Sequence, residues 1–223
     1  MKSKHLAPLL LLTFISSFLI FFKFDQIPAQ LAFDEIEFAK IATALDGRPY
    51  APYVTTAYGH STLYFYVILF FFKLLGVSSL ALRLPAALSA IASCVLFYFI
   101  VQKLFKNNAV AFTAGVILAT QRWFYSFARF SFETTFLTML ELSGILSLVL
   151  FLQKKQMRYL IATALFAGLA YHSYYPGRIF FLLPLGFILA KRNFRHIGIF
   201  LVVFGIVISP LLMYFRTNPD IRI

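Results

Sequence analysis

The chain has 223 residues, 61% of them hydrophobic and 13% charged, with a mean hydropathy of +0.84. Soluble domains are about half apolar and roughly a quarter charged, so this composition excludes a soluble globule and identifies an integral membrane protein. The 20 Lys and Arg against 8 Asp and Glu do not point to nucleic acid, because basic residues beside membrane helices mark cytoplasmic loops and anionic headgroups. The single cysteine, Cys94, excludes an internal disulfide or a cysteine-cluster metal site.

A spanning helix needs about 20 apolar residues, with roughly 17 the lower limit. Residues 6–22 follow a basic start (Lys2, Lys4) and read as an uncleaved first span, since six more candidates follow at 84–102, 109–127, 132–152, 159–175, 177–190 and 196–215. Residues 34–45, "DEIEFAKIATAL", read as an amphipathic helix stopped by Asp46-Gly47. The run at 61–76, "STLYFYVILFFFKLLG", is short and contains Lys73. The expected architecture is all-α and polytopic, a single domain over 1–223. It has about seven transmembrane helices, an embedded or interfacial helix at 61–76, and a helical first outer loop over about 23–60.

Charge orients these elements. Basic clusters stand at Lys2/Lys4, Lys103/Lys106, Lys154/Lys155/Arg158 and Lys191/Arg192/Arg195, and no acid shares those loops. All four belong inside by the positive-inside rule, which requires that 61–76 does not cross. Residues 23–83, 122–131, 174–178 and 216–223 then lie outside. Asp25, Asp34, Glu35, Glu37, Asp46 and Asp220 fall there and Glu133 at the outer end of a span, leaving Glu141 within a span.

Asp34, Glu35 and Glu37 put three of the eight acids within four positions. One reading is capping: acids at the positive end of a helix. The other is a general base beside a second acid at the bilayer surface, where acids are costly unless watered or paired. Further along, "FARFSFETTFLTMLEL" carries Arg129 and Glu133 four apart, a spacing that also fits a helix ion pair. Glu133, Leu137 and Glu141 share one face, and a structural role suits Glu141. "YHSYYPGRIFFLLP" sets His172, Tyr174, Tyr175 and Arg178 around a Pro-Gly break. Tyrosines there fit an interfacial belt, and an arginine fork there suits a phosphate. His60 stands alone before "STLY", as a surface histidine would.

No Rossmann fingerprint, P-loop, HExxH or GxSxG occurs in the sequence. An enzyme working outside the membrane has no access to cytosolic nucleotide-activated donors. Its donor would ride on a lipid phosphate, with a carboxylate base and cations for the departing phosphate.

The ordered blocks "FDEIEFAKIATALDGRPY", "GHSTLYFYVILFFFKLLGVSSLALRLPAALSAIASCVLFYFIVQKLF", "FARFSFETTFLTMLEL" and "YHSYYPGRIFFLLP" together resemble the N-terminal half of a GT-C fold glycosyltransferase. The resemblance is to the protein O-mannosyltransferase and lipid A aminoarabinose transferase superfamily. The chain departs from it where His60-Ser61-Thr62 stands for His-Pro-Pro and Glu133 for an Asp. The resemblance implies a longer protein, of which this is an N-terminal module, and inverting hexosyl or pentosyl transfer from a polyprenyl-phosphate sugar to a lipid, glycan or protein hydroxyl. It assigns Asp34 as base, Glu35 and Glu133 as orienting groups, and Arg178 as the phosphate ligand, with His60 or a divalent cation assisting. Arg129, Tyr174 and Tyr175 would line the substrate site, and Glu35 with His60 are the possible metal ligands. A transporter or flippase, which places ionisable residues at the midplane, and an inactive assembly subunit of the same fold are the rival readings.

Overall fold

The computed structural model describes residues 6–56 and 59–219, which are mostly helical. Lys2, Lys4 and Asp220, used in the orientation argument, lie outside the described residues. The elements run α1 (Leu6–Phe21), α2 (Phe33–Ala44), β1 (Tyr53–Val54), β2 (His60–Ser61), α3 (Leu63–Leu75), α4 (Ser79–Phe105), α5 (Asn108–Thr120), α6 (Arg122–Ala128), α7 (Glu133–Lys154), α8 (Met157–Tyr171), α9 (Gly177–Phe180), α10 (Leu182–Ala190) and α11 (Phe194–Thr217).

Local chemistry sets the starts of the long helices. Ser78 accepts from the Ala81 N–H to open α4, Asn107 accepts from Ala109 and Val110 to open α5, and Asn193 accepts from His196 to open α11. Among the described residues, α4, α7 and α11 are long and apolar enough to cross a membrane alone. The other expected spans form shorter pieces. Residues 6–22 give a 16-residue helix and 159–175 a 15-residue one. The segment 109–127 breaks at Gln121 into α5 and α6, and 177–190 breaks at Phe181 into α9 and α10.

Helix α4 is the hub, packing against α1, α3, α5, α6 and α7. Fully buried Ala81, Ala86, Ala87, Ala90 and Cys94 give it a narrow profile, which lets neighbouring backbones approach closely. Leu12 clusters with Tyr98 and Val101, whereas Ile20 clusters with Ala87 and Ala90, so α1 runs antiparallel to α4. From α7 the bundle continues through α8 to α11.

The two ends of the bundle differ in charge. At one, the Gln153 amide donates to the Lys103 carbonyl at 3.1 Å and Phe151 packs on His196, so the basic loops after α4, α7 and α10 gather together. At the other stand α2, the β1–β2 pair, the start of α7 and the α8–α9 turn, with Asp34, Glu35, Glu37 and Glu133. Both ends of α3 belong to this acidic end. Tyr64 in its first turn lies 3.4 Å from Ser131, and its C-terminal Gly76 is two residues from Ser78, which caps α4. A 13-residue helix rises about 20 Å, short of a bilayer core of about 30 Å. Both ends of helix α3 therefore lie at the acidic end of the bundle.

Candidate functional site

The acidic end contains two polar constructions of opposite kind. In the first, every polar atom is engaged. Glu35 is completely buried, and Arg83 grips it with two parallel hydrogen bonds, Nε to Oε1 at 2.7 Å and a terminal nitrogen to Oε2 at 2.8 Å. The Ser131 N–H donates to Oε1 and the Ala32 N–H to Oε2. Arg83 spends its remaining donors on the Pro28 and Gln30 carbonyls. One carboxylate thus ties the start of α2, the first loop, α4 and the α6–α7 link together. Ala32, not Asp34, is the N-cap, and Glu35 reaches back to its N–H. Helix α2 buries the face of Glu35, Phe38, Ile41 and Ala42, leaving Ile36 outward.

Arg129 is the second engaged group. It is not paired with Glu133, since it caps α6 whereas Glu133 begins α7. Its buried guanidinium donates to the carbonyls of Leu19, Ile20, Phe22, Lys23 and Ile27, closing the C-terminal end of α1. Five carbonyls leave no donor for a phosphate, so the expected substrate role of Arg129 is replaced by a cap on the negative helix end. Glu35 is corrected likewise. With both oxygens engaged it has no lone pair directed at a cation, and it acts by fixing the helix that carries Asp34. Among the described residues no three of His, Cys, Asp and Glu converge as a cation site.

The second construction is under-satisfied. Glu133 is completely buried and neither oxygen has a directed hydrogen bond. Its neighbour is His60, whose Nδ1 stands 3.3 Å from Oε1 with 14% of its side chain exposed, so His60 faces a buried carboxyl group and is not a lone surface residue. Ser173 Oγ and Arg178 Nε are also buried without a partner. These groups, with Ser61, Tyr174 and Tyr175, enclose a gap of about 150 Å³ with no room for a water molecule. The Arg178 guanidinium lies 4.4 Å from the Tyr175 ring, flanked by Tyr171 and Phe215. Stacking holds its plane and leaves edge donors available.

Tyr53 secures this corner. Tyr175 donates its hydroxyl to the Gly59 carbonyl at 3.0 Å, and Tyr53 donates to Tyr175 at 3.1 Å. Burial, then the bond to Tyr175, pushes the Tyr53 phenol up to about 12, so it stays protonated as that donor. Gly59 has φ +90°, and a Cβ there would collide with the Tyr53 hydroxyl. The β1–β2 pairing, Val54 opposite His60, presents His60 to Glu133. The His172 Nε2 lies 2.8 Å from the Val207 carbonyl, tying α8 to α11 outside the gap.

Beside the gap opens a cavity of about 410 Å³ that shares His60, Tyr174 and Tyr175 with it. Phe33, Phe38 and Phe132 wall it, and Asp34 and Glu37 stand at its rim. Glu37 pairs with Lys40 at 2.7 Å. Asp34 is exposed and makes no ion pair among the described residues. The structure therefore places Asp34 on the cavity and Glu133 and Arg178 on the closed gap, with His60, Tyr174 and Tyr175 as the wall the two share, and removes Glu35 and Arg129 to the scaffold. Sequence reasoning assigned no role to Arg83, Tyr53 or Ser173. Arg83 had a signal, as a charge beside an apolar run; Tyr53 and Ser173 had none.

A family model described as dolichyl-phosphate-mannose-protein mannosyltransferase matches residues 59–214, more than half of the chain. The match takes in the hairpin strand with His60, Glu133 and the Arg178 turn, and begins after α2. No curated protein and no solved structure matches the chain.

Proposed function

Because the chain belongs to the dolichyl-phosphate-mannose-protein mannosyltransferase family, and is thereby a membrane glycosyltransferase of the mannosyltransferase type using a lipid-linked sugar, we propose that it transfers the sugar with inversion from a polyprenyl-phosphate donor to an acceptor hydroxyl on the extracytoplasmic face. The observation that carries this reading is the position of Asp34. It is an exposed carboxylate, without an ion pair among the described residues, at the rim of a cavity whose wall of His60, Tyr174 and Tyr175 also bounds the gap holding Arg178 and its unpartnered Nε.

In the reaction, Asp34 takes the proton from the acceptor O–H as that oxygen bonds to the anomeric carbon. The bond from that carbon to the phosphate oxygen breaks, and its electron pair leaves with the polyprenyl phosphate. Charge on the phosphate grows as the bond breaks, so donors aimed at it act most strongly in the transition state. Arg178 supplies that donor edge, with Tyr175 holding its plane. His60 with Glu133 adds a second polar pair beside it, and the aromatic walls exclude water.

Asp34→Asn keeps the shape and removes the base. Turnover of a polyprenyl-phosphate sugar should fall by about 10²–10⁴-fold, with thermal unfolding unchanged because Asp34 is exposed. Turnover near wild type in the folded variant defeats the assignment.

A further inference from the structure

Outside the cavity, between the first loop and α6, lies a separate apolar groove of about 600 Å³, floored by Trp123, Phe127 and Phe130. A smaller hollow of about 240 Å³ adjoins it across Trp123 and Phe127, where α6 meets α7. Two threonine hydroxyls on that wall, Thr134 and Thr135, are buried without a partner, and Thr135 is only 1% exposed. Arg122 is exposed at the groove's rim. Apolar walls, hydroxyls unpartnered among the described residues and an exposed cation together match an amphiphile with an oxygen-rich, anionic head.

The groove is joined to the cavity by parallel rings. Trp123 stacks on Phe127 at 6.5 Å, Phe127 on Phe132 at 5.6 Å, and Phe132 on Phe38 at 5.6 Å. Phe132 is the partition: Phe127 lies on its groove side, Phe38 and Tyr174 on its cavity side. Arg178 lines the gap behind Tyr174 and Tyr175, at the other flank of the cavity from Phe127. Inversion needs nucleophile and leaving group on opposite sides of the anomeric carbon. A donor phosphate at Arg178 therefore assigns the opposite flank, with Asp34 and the groove, to the acceptor. We propose that the Trp123 groove binds the acceptor, and that this acceptor is a membrane amphiphile with a hydroxyl beside an anionic head, not a soluble polypeptide. The assignment to the acceptor rests on the glycosyl-transfer reading; the lipid site itself does not.

Trp123 is the chain's single tryptophan, so its fluorescence reports the groove directly. The purified chain is placed in phosphatidylcholine nanodiscs, and dibrominated phosphatidylglycerol or dibrominated phosphatidylcholine is added as quencher. A built site gives saturable quenching by the anionic lipid at a few mole per cent. Arg122→Ala should raise the half-saturation at least about fivefold, the weight of one charge-assisted contact. Ser126→Phe, which fills the groove from an exposed position, should remove the saturable phase. Quenching that rises linearly and equally for both lipids means annular contact only and overturns the site. Displacement by decaprenyl phosphate that is lost in Arg178→Ala gives the groove to the donor and overturns the acceptor assignment. Membranes supplied with polyprenyl-phosphate [14C]mannose provide a last arm. Label in a lipid that chromatography separates from the donor, reduced at least tenfold by Ser126→Phe, supports the proposal; label found only in protein overturns it. A failed Asp34→Asn test leaves the quenching result standing, so the two failures are separable.

Discussion

Two carboxylates at the acidic end, Glu35 and Glu133, are both completely buried, yet their surroundings are opposite. Glu35 receives four hydrogen bonds, two of them from a guanidinium that is itself saturated. Glu133 faces one histidine at 3.3 Å and has no directed bond. A buried charge with all its partners fixes geometry; a buried charge without them raises the free energy of the resting protein. The Glu35 region holds the scaffold, and the Glu133 region keeps polar groups uncommitted next to the cavity where a substrate's polar groups arrive.

The comparison breaks most sharply by removing one partner from each region. Arg83→Met leaves Glu35 buried and unpaired, which costs about 3–5 kcal/mol, so the variant should accumulate poorly and unfold at much lower temperature in detergent. Glu133→Gln removes a charge that is already poorly compensated. It should leave thermal stability equal or higher while turnover falls. Equal stability losses in the two variants would show that Glu133 is also scaffold.

This contrast explains what the sequence disclosed. The crowding of Asp34, Glu35 and Glu37 was visible, and so was a helix to carry them. Which acid turns inward was not, because neighbours on a helix point about 100° apart and the choice depends on Arg83, 48 positions away. Arg129 looked like half of an i,i+4 pair, yet its partners are backbone carbonyls about 100 residues earlier, and carbonyls leave no side-chain pattern. The basic loops after α4, α7 and α10 were legible as one group, since that pattern needs only local counts. The helix break at Phe181 escaped notice because hydropathy runs unbroken across it, whereas the break at Gln121 carried a signal, the polar pair Gln121-Arg122 inside the expected span 109–127.

Arg178 sharpens the comparison within one residue type. Every guanidinium nitrogen of Arg83 and Arg129 donates a hydrogen bond, whereas Arg178 keeps an unpartnered Nε. Arg178→Ala should lower turnover about 10–100-fold, the weight of a charge-assisted hydrogen bond of about 1.5–3 kcal/mol, with little change in unfolding temperature. Arg178→Lys should restore charge but not the planar fork, recovering only part of the rate. Lower expression with normal turnover per folded molecule would instead mark Arg178 as an anchor that snorkels to headgroups.

The smallest effect belongs to the ion pair of Asp46 and Lys73, and it tests whether burial, not distance, separates the regions. Their contact at 2.6 Å is as short as the 2.7 Å contact of Glu35 with Arg83. Both side chains are more than half exposed, however, where water and salt screen the attraction. The hydrogen bond from Lys73 lowers the Asp46 pKa below its ordinary 3.8. A carboxyl whose folded pKa is depressed contributes stability above its unfolded value and loses it as pH falls through the folded one. Any contribution from Asp46 is therefore present at neutral pH and disappears only below about pH 4, in the ordinary range of an aspartate. Lys73→Met should leave the unfolding temperature at pH 7 within experimental scatter and insensitive to added salt. A loss comparable to that of Arg83→Met would mean that α3 is held to α2 by this exposed contact, and that burial is not what distinguishes the scaffold.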